Sequence, residues 1–267
     1  MNRISFNCSN LVAQQYGYYP EDTWDACVAA VNAYYSPPET FAERFEQMIL
    51  QIKALDFDAL DIWTPGQLSW RWASAEHIAT ARALLDKHQM AVTTIGGDFG
   101  ETRAEFVAAC KLAVGVNTKI LSGVCDVLHS DRAFVVKTLE EFDVFLSVEN
   151  HPETSPRVML AEIGDTAGGR IGTTIDTGWW ATQHYDVVRA IEELGKHIMH
   201  VHLKDVRDGP EHINVGYGQG IVPLEASVRA LKRIGYTGDY SIENHPTDHD
   251  PIPEIKIARG LVREWLA

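Results

Sequence analysis

The sequence has little positive charge and no long apolar run. Its 23 lysines and arginines are outnumbered by 37 acidic residues, which gives the 267 residues a formal net charge of −14. A protein that follows nucleic-acid phosphates needs a basic surface, so we expect no nucleic-acid or anionic-membrane partner. No apolar run approaches the roughly 18 residues of a transmembrane helix. Residues 1–10 lack the apolar core of a signal peptide.

Cysteines and catalytic signature motifs are also scarce. The four cysteines form no C-x-x-C pair, which argues against a zinc knot or a dithiol redox site. Reduced thiols in a cytoplasmic protein are the simplest interpretation. No G-x-G-x-x-G, P-loop, G-x-S-x-G or H-E-x-x-H motif is present. Nucleotide binding, the α/β-hydrolase mechanism and this class of zinc site are therefore unsupported.

Four side chains of the kinds that bind metals stand at the ends of four successive strand-like runs. Glu149 follows VFLSV, Asp176 follows RIGTTI, His202 follows IMHV and Glu243 follows DYSI. Their positions differ by 27, 26 and 41 residues, close to one strand plus one helix with loops. Because catalytic groups collect at the carboxyl ends of the strands in a closed parallel barrel, we expect these side chains to converge at one mouth.

The rest of the chain supports a barrel. Short β-branched runs alternate with longer helical patterns, which predicts a parallel sheet with crossover helices. We therefore predict an α/β fold, a single-domain (β/α)8 TIM barrel over residues 1–267. Eight strands are predicted, at residues 3–8, 59–63, 91–95, 118–122, 144–149, 170–176, 198–203 and 239–243.

One segment departs from the alternation of strands and helices. Residues 10–37 form a long insertion after the first strand. Loops of this length in a compact domain are often lids or binding loops. A helical decoration that packs on the barrel, or on another subunit of a homo-oligomer, explains the length equally well. The aromatic residues of the insertion are Tyr16, Tyr18, Tyr19, Trp24, Tyr34 and Tyr35.

The four strand-end side chains predict a site for one divalent cation. Buried acids at the ends of apolar strands are costly unless they are paired or bound to a metal. Three carboxylates and one imidazole without thiolates suit manganese, magnesium, cobalt or zinc; ligand hardness favours manganese or magnesium, and manganese is our first expectation. The strand alternation places His200 on the same face as His202, one layer deeper in the barrel. The predicted ligands are Glu149, Asp176, His202 and Glu243.

Glu149 and Glu243 are also the predicted catalytic pair, and each begins an ENHP tetrapeptide, at 149–152 and 243–246. A cation on a carbonyl or hydroxyl oxygen stabilises the enediolate formed when the neighbouring C–H is deprotonated. Two flanking carboxylates could remove a proton from one face and return it on the other, which epimerises that carbon. One carboxylate acting across adjacent carbons would give aldose–ketose isomerisation. Alternatively, both glutamates are ligands only and another group moves the proton.

Other side chains near the strand ends are candidate substrate contacts. Cationic and imidazole donors could orient hydroxyls, a carboxylate or a phosphate, and strand-end tryptophans could form apolar walls for a sugar ring. Alternatively, Lys204 pairs with Asp205, and Arg207 is a solvated loop residue. The glycine-rich stretch GYGQG at 216–220 favours a tight turn over a phosphate site. The predicted substrate contacts are His151, Lys204, Arg207, Trp63 and Trp179.

The order of several motifs resembles a known superfamily. VENHPE, TIDTGWW, HVHLKDVR and the run from INVGYGQG to YSIENH are similar to the strand ends of the sugar phosphate isomerase/epimerase superfamily, the xylose isomerase-like barrels. The resemblance covers most of the chain and is strongest from about residue 144 onward. It implies a (β/α)8 barrel with one divalent ion at the four positions named above. It also implies proton transfer by Glu149 and Glu243, as in the ketose 3-epimerases.

Some motifs differ within this superfamily. HLKDVR resembles the inosose dehydratases, which use the same metal site to eliminate water from a keto-cyclitol. Many members have D-T-G-H where this chain has Trp179, so that histidine's substrate contacts do not carry over and a second metal is not expected. Type-IV apurinic endonucleases share the fold, and His212 resembles one of their zinc ligands. Pro210 and Trp179 replace two others, which argues against DNA repair.

The sequence therefore predicts a divalent-metal-dependent isomerase or epimerase of a small sugar, ketose or keto-acid. A dehydratase of a keto-polyol is the first alternative, since both reactions begin by abstracting the proton beside a carbonyl. A barrel that binds sugar and metal without turnover is the second. The expected partner is a small carbohydrate, and the expected location is the cytoplasm.

Overall fold

A computed structural model describes residues 2–19, 23–151, 153–209 and 211–267. Eight parallel strands close a barrel, which confirms the predicted fold class. Each predicted strand is present within three residues of its expected bounds, and the largest difference is the extension of the third strand to Asp98. The barrel strands are β1 Ile4–Asn7, β2 Ala59–Trp63, β3 Ala91–Asp98, β4 Ile120–Val124, β5 Phe145–Glu149, β6 Ile171–Asp176, β7 Ile198–Leu203 and β10 Tyr240–Ile242.

Helices surround the barrel, and a short antiparallel pair of strands follows β7. This pair consists of β8 Asp205–Val206 and β9 Asn214–Val215. Within the described part of the chain, no helix is both long and apolar enough to cross a membrane. The helices are α1 Trp24–Tyr35, α2 Pro38–Ala54, α3 Ala75–Lys87, α4 Arg103–Gly115, α5 Asp126–Ser130, α6 Arg132–Phe142, α7 Pro156–Ile163, α8 Thr177–Thr182, α9 Val187–Leu194, α10 Leu224–Arg233 and α11 Ile252–Leu266.

Helix α2 illustrates how the outer layer forms. Its apolar residues recur every three or four positions, and they are buried against the barrel. Each large side chain removed from water in this way contributes about 1.5–3 kcal/mol. The helix begins at Pro38, whose fixed φ suits a first helical position where the N–H has no partner. The buried face consists of Phe41, Phe45, Met48, Ile49 and Ile52.

The barrel register determines which strand-end side chains become neighbours. Asp176 on β6 lies directly opposite His202 on β7. Glu149 on β5 lies opposite Thr174, two residues before Asp176. On the other side of β7, His202 lies opposite Ser241 on β10. The carboxyl ends of β5, β6, β7 and β10 therefore present their side chains to one mouth of the barrel.

The predicted insertion contains one additional helix. A short 3-10 helix, Cys8–Leu11, follows β1, and α1 occupies residues 24–35 of the segment. Cys27, Val31 and Tyr35 on α1 are buried, so this helix packs on the body of the barrel. Residues 20–22 of the insertion lie outside the described residues. Its role as a lid stays a prediction.

Candidate functional site

The structure brings the four predicted ligand side chains together. Glu149, Asp176, His202 and Glu243 are all buried, and one ligand atom from each lies within 4.8 Å of the others. Metal–ligand distances for oxygen and nitrogen are about 2.0–2.4 Å, so two ligands of one ion lie at most about 4.8 Å apart. The four side chains therefore fit around a single ion.

The charge of the cluster also fits a divalent cation. The Lys204 ammonium lies 2.7 Å from Asp176 Oδ2 and 2.8 Å from Glu243 Oε1. With His202 neutral, as a metal ligand must be, three carboxylates and one ammonium leave two negative charges in a buried site. Uncompensated buried charge is costly, and a divalent ion would neutralise it. Lys204 thus pairs with two predicted ligands rather than with Asp205.

His202 bridges the two predicted catalytic glutamates. Its Nδ1 contacts Glu149 Oε1 and lies 3.0 Å from Glu243 Oε2. Burial alone would lower the pKa of His202, but the charges of Glu149 and Glu243 outweigh it and raise the pKa to about 10. Burial would likewise raise the pKa of Glu243, but Lys204 and His202 hold it well below its usual range. An ion that used Nδ1 would have to displace this imidazole proton.

Two buried asparagines fix the backbone around two of the ligands. The Asn150 amide donates to the Asp176 carbonyl over 3.1 Å, and its oxygen accepts from the Asp176 N–H over 2.9 Å. On the other side, Asn10 donates to the carbonyl of Ile242 and accepts from the N–H of Asn244. These bonds hold the residues on both sides of Glu243. Sequence reasoning missed both asparagines, because nothing in their local pattern distinguishes a side chain that bonds to the backbone beside a ligand, which we call a clamp, from an ordinary loop residue.

A second buried cluster lies on the inner face of the barrel. His200 Nε2 is 3.1 Å from Asp61 Oδ2, and Ser5 donates to Asp61 Oδ1 over 3.2 Å. The His200 and His202 rings meet edge to face, with centroids 5.1 Å apart. His200 therefore occupies the deeper position that strand alternation predicts. The bond to Asp61 satisfies its Nε2 and orients it beneath the ligand cluster.

A cleft of about 390 Å³ opens above the cluster. The carboxylate of Asp176 is fully buried and is not among the lining residues. The side chain of Arg207 is exposed and also lies outside the lining. Seven of the predicted site residues line the cleft: Trp63, Glu149, His151, Trp179, His202, Lys204 and Glu243.

Ten further lining residues were not among the predicted site residues, and three of them contact the predicted ones through their rings. Trp24, the first residue of α1, meets the Trp63 ring edge to face at 5.4 Å. It also contacts the ring of His245 at 4.9 Å, and His245 Nε2 lies 3.1 Å from Glu243 Oε1. His212 stacks on Trp179. His245 carried a signal that went unused, since it repeats the position of His151 in the second ENHP, whereas Trp24 and His212 were noted in the sequence without being assigned to the cleft.

The glycine-rich turn at 216–220 encloses a carboxylate of the chain itself. Asp205 Oδ2 accepts hydrogen bonds from the N–H groups of Gly218 and Gly220, and its Oδ1 accepts from those of Val206 and Val222. A Cβ on Gly220 would collide with Asp205 Oδ1 and the Val206 carbonyl, so glycine is required there. The turn is therefore structural, as the sequence favours, and the N–H groups of Gly218 and Gly220 are already used.

Comparison with known proteins identifies the family. The sequence pattern of the xylose isomerase-like TIM barrels matches residues 49–265. The chain belongs to this family. The resemblance inferred from the strand-end motifs is thereby confirmed.

Among curated relatives, L-ribulose-5-phosphate 3-epimerase UlaE of Escherichia coli (strain ATCC 8739) is 40% identical over 93 residues. The putative enzyme of the same name from Shigella dysenteriae serotype 1 is 36% identical over 93 residues. Each match covers 34% of this chain and 32% of the relative. The alignment thus spans about a third of the length of the curated relatives.

Solved structures share the whole fold. A D-tagatose 3-epimerase-like protein superposes with a TM-score of 0.70 at 18% identity, covering 99% of this chain and 100% of the other. D-psicose 3-epimerase, crystallised in the presence of D-fructose, superposes with a TM-score of 0.64 at 14% identity, covering 97% and 99%. At these identities the likeness establishes the barrel architecture.

Proposed function

We propose that the protein is a divalent-metal-dependent epimerase of a small ketose, with Glu149 and Glu243 as the proton-transferring pair. The observation that carries this proposal is that both carboxylates contact the same atom, His202 Nδ1, and line one cleft. Two carboxylates that flank one small volume can act on opposite faces of the same carbon. The sugar 3-epimerases among the curated relatives and solved structures support the reaction class.

The ligand cluster would hold one divalent ion, and Mn²⁺ is our proposed ion because carboxylates predominate among the ligands. Such an ion supplies positive charge that stabilises an enediolate. The remaining steps belong to the chain. Because its pKa is held well below the usual range, Glu243 is ionised at neutral pH and can accept a proton. Glu149 would then deliver a proton to the opposite face.

The cleft walls would orient the sugar. Trp63 and Trp179 offer aromatic surface on which the C–H side of a sugar can lie. The Nε2 of His151 is 3.9 Å from Glu149 Oε2, and His151 lines the cleft with Lys204, so both can donate to substrate oxygens. Arg207 remains a predicted contact that would require the loop after β8 to move. A small carbohydrate partner, a cytoplasmic location and a homo-oligomeric state belong to the same proposal.

Isotope exchange in D2O tests the proposal. Protein loaded in turn with Mn²⁺, Mg²⁺, Co²⁺ or Zn²⁺ is incubated with D-tagatose, D-fructose, D-psicose, L-ribulose 5-phosphate and a keto-cyclitol. The metal is removed before proton NMR. Deuterium at C3 together with the C3 epimer is the expected result.

The other outcomes separate the alternatives. Deuterium at C1 or C2 with an aldose product would replace epimerisation by aldose–ketose isomerisation. Loss of a hydroxyl beside the exchanging carbon would make the protein a dehydratase. Binding of metal and ketose without any exchange would leave the non-catalytic barrel and overturn the proposal.

A further inference from the structure

His212 is held at the wall of the cleft by two contacts from helix α8. Its ring lies flat on the Trp179 indole, with ring centroids 3.9 Å apart and an interplanar angle of 9°. Its Nδ1 lies 2.9 Å from Thr182 Oγ1. The first N–H groups of the same helix bond to the Asp176 carboxylate. The imidazole is therefore tied to the ligand cluster through one short helix.

The hydrogen bonds of Thr182 determine which nitrogen of His212 carries the proton. The Thr182 hydroxyl donates its single proton to the Gly178 carbonyl oxygen over 3.0 Å, since a carbonyl can only accept. The hydroxyl oxygen can then accept from His212, which places the imidazole proton on Nδ1. Nε2 keeps a lone pair and has no hydrogen-bond partner within the described ranges.

The surroundings keep this ring neutral. Burial, and after it the positive charge of Lys204, lower the pKa of His212 to about 3. At physiological pH the Nε2 atom is therefore a hydrogen-bond acceptor rather than a donor. A buried acceptor without a partner is unfavourable until water or a ligand satisfies it. His212 lines the same cleft as Glu149 and Glu243, where a ketose would bring several hydroxyl donors.

We propose that His212 is a specificity-determining residue whose Nε2 accepts a hydrogen bond from one hydroxyl of the bound ketose. The inference rests on the proposed function, because it takes a polyhydroxy ketone as the substrate. His212 has no part in proton transfer. A ketose with a hydroxyl at one position donates a hydrogen bond to Nε2. A sugar without that hydroxyl leaves Nε2 unpaired in a buried site. Discrimination of this kind responds to a hydrogen-bond donor at one position, whereas an apolar wall responds to the bulk of the substrate.

Kinetics with deoxy sugars test the proposal. His212→Phe keeps a flat ring on Trp179 and removes Nε2. The substrates are D-tagatose, D-fructose and those of their monodeoxy derivatives that keep the C3 hydroxyl. We expect the wild type to discriminate against one deoxy position by about 10-fold in kcat/KM, mainly through KM. In His212→Phe the loss of kcat/KM at this one deoxy position should disappear. The kcat value and the losses at the other deoxy positions should stay unchanged. An unchanged set of penalties would overturn the proposal.

Variants of Thr182 provide a matched control. Thr182→Ser keeps the hydroxyl and should behave as the wild type. Thr182→Val removes the acceptor for Nδ1–H, so the proton is free to move to Nε2, and discrimination at the same position should weaken. If Val and Ser behaved alike, the tautomer argument would be wrong.

A spectroscopic readout separates this inference from the proposed function. Protein labelled with 15N-histidine should show an unprotonated Nε2 resonance that is missing in His212→Phe. The resonance should shift when D-tagatose or D-fructose binds. A protonated Nε2, or binding without a shift, would overturn the role of His212. Absence of isotope exchange with an unprotonated, ketose-sensitive Nε2 would instead overturn only the proposed epimerase.

Discussion

The two ENHP tetrapeptides have the same letters and different surroundings. After β5, Asn150 clamps the backbone of the next ligand, Asp176. After β10, Asn244 donates to Glu254 over 2.6 Å, and Asn10 from the β1 side clamps the backbone instead. The difference arises because β5 is followed in the barrel by a ligand-bearing strand, whereas β10 closes against β1.

The histidines of the two tetrapeptides differ in the same way. His151 Nε2 is 3.9 Å from its glutamate, and its side chain is 35% exposed. His245 Nε2 is 3.1 Å from its glutamate, and its side chain is 14% exposed beneath Trp24. A repeated motif therefore places two carboxylates at equivalent heights, while the neighbouring strands decide what supports each one. Pro152 lies outside the described residues.

The largest expected effect comes from the glutamates themselves. Glu149→Gln and Glu243→Gln keep the side-chain shape but cannot transfer a proton, so each should slow formation of the C3 epimer by about 10²–10⁴-fold. Initial rates of epimer formation measure this, with metal content determined on the same samples, because the remaining glutamate can still exchange the C3 proton on its own face. If one variant formed the epimer at the wild-type rate with metal bound, the two glutamates would not share the chemistry.

The second expectation concerns pH and the histidine that joins the two glutamates. His202 has a pKa of about 10, so below that pH a metal must displace its proton. Apparent metal affinity should rise about 10-fold per pH unit between pH 7 and 9. The free energy of unfolding of the metal-free protein should instead fall as the pH rises. Because the folded pKa exceeds the ordinary 6.5, this contribution is complete below about pH 6.5 and is lost toward pH 10.

Titration calorimetry in buffers of different ionisation enthalpy measures the released proton, and urea unfolding without metal measures the stability. His151→Gln is the matched control, since His151 lies near the cluster without bridging it. Metal affinity that did not change with pH would show that His202 is already neutral before binding.

The third expectation is that the buried asparagines contribute unequally to metal affinity. Asn150→Ala removes both bonds to Asp176, so metal affinity should fall about 10–100-fold, as for other groups that orient ligands. Asn244→Ala should have a smaller effect, because Asn10 still holds the backbone beside Glu243. Asn10→Ala should resemble Asn150→Ala. Calorimetric Mn²⁺ titration of the three variants ranks them, and a larger loss in Asn244→Ala would contradict the clamp assignment.

The smallest expected effect distinguishes the two histidines. His245 bonds to Glu243 and helps to keep its pKa low. His245→Gln should therefore move the acid limb of the pH–rate profile to higher pH, while activity at neutral pH, where Glu243 stays ionised, should change by no more than a few-fold. His151→Gln should leave that limb in place. Equal shifts in both variants would mean that the closer contact at His245 has no separate effect.

Much of this architecture was readable from the sequence. Strand alternation and even spacing predicted the eight strands and the common height of Glu149, Asp176, His202 and Glu243. The cleft walls were less readable. His212, Trp24 and Asn10 lie on connections whose path depends on contacts between distant segments, and no periodicity governs such segments. Asp61 sits inside the apolar strand ALDIW, where its polarity was a signal that went unused.

The Asp205 carboxylate has a consequence for redesign. It satisfies four backbone amides, so the turn at 216–220 and the paired strands β8 and β9 support themselves without help from a ligand. Residues 207–209 and 211–213, which include His212, therefore lie between β8 and β9, on a part of the fold that is stable without a ligand. Libraries randomised over this stretch should retain the barrel while they vary the hydroxyl pattern that the cleft accepts. Substitution of Asp205 would remove the four hydrogen bonds that hold this turn. The position of His212, and with it the proposed selectivity, would then be less well defined.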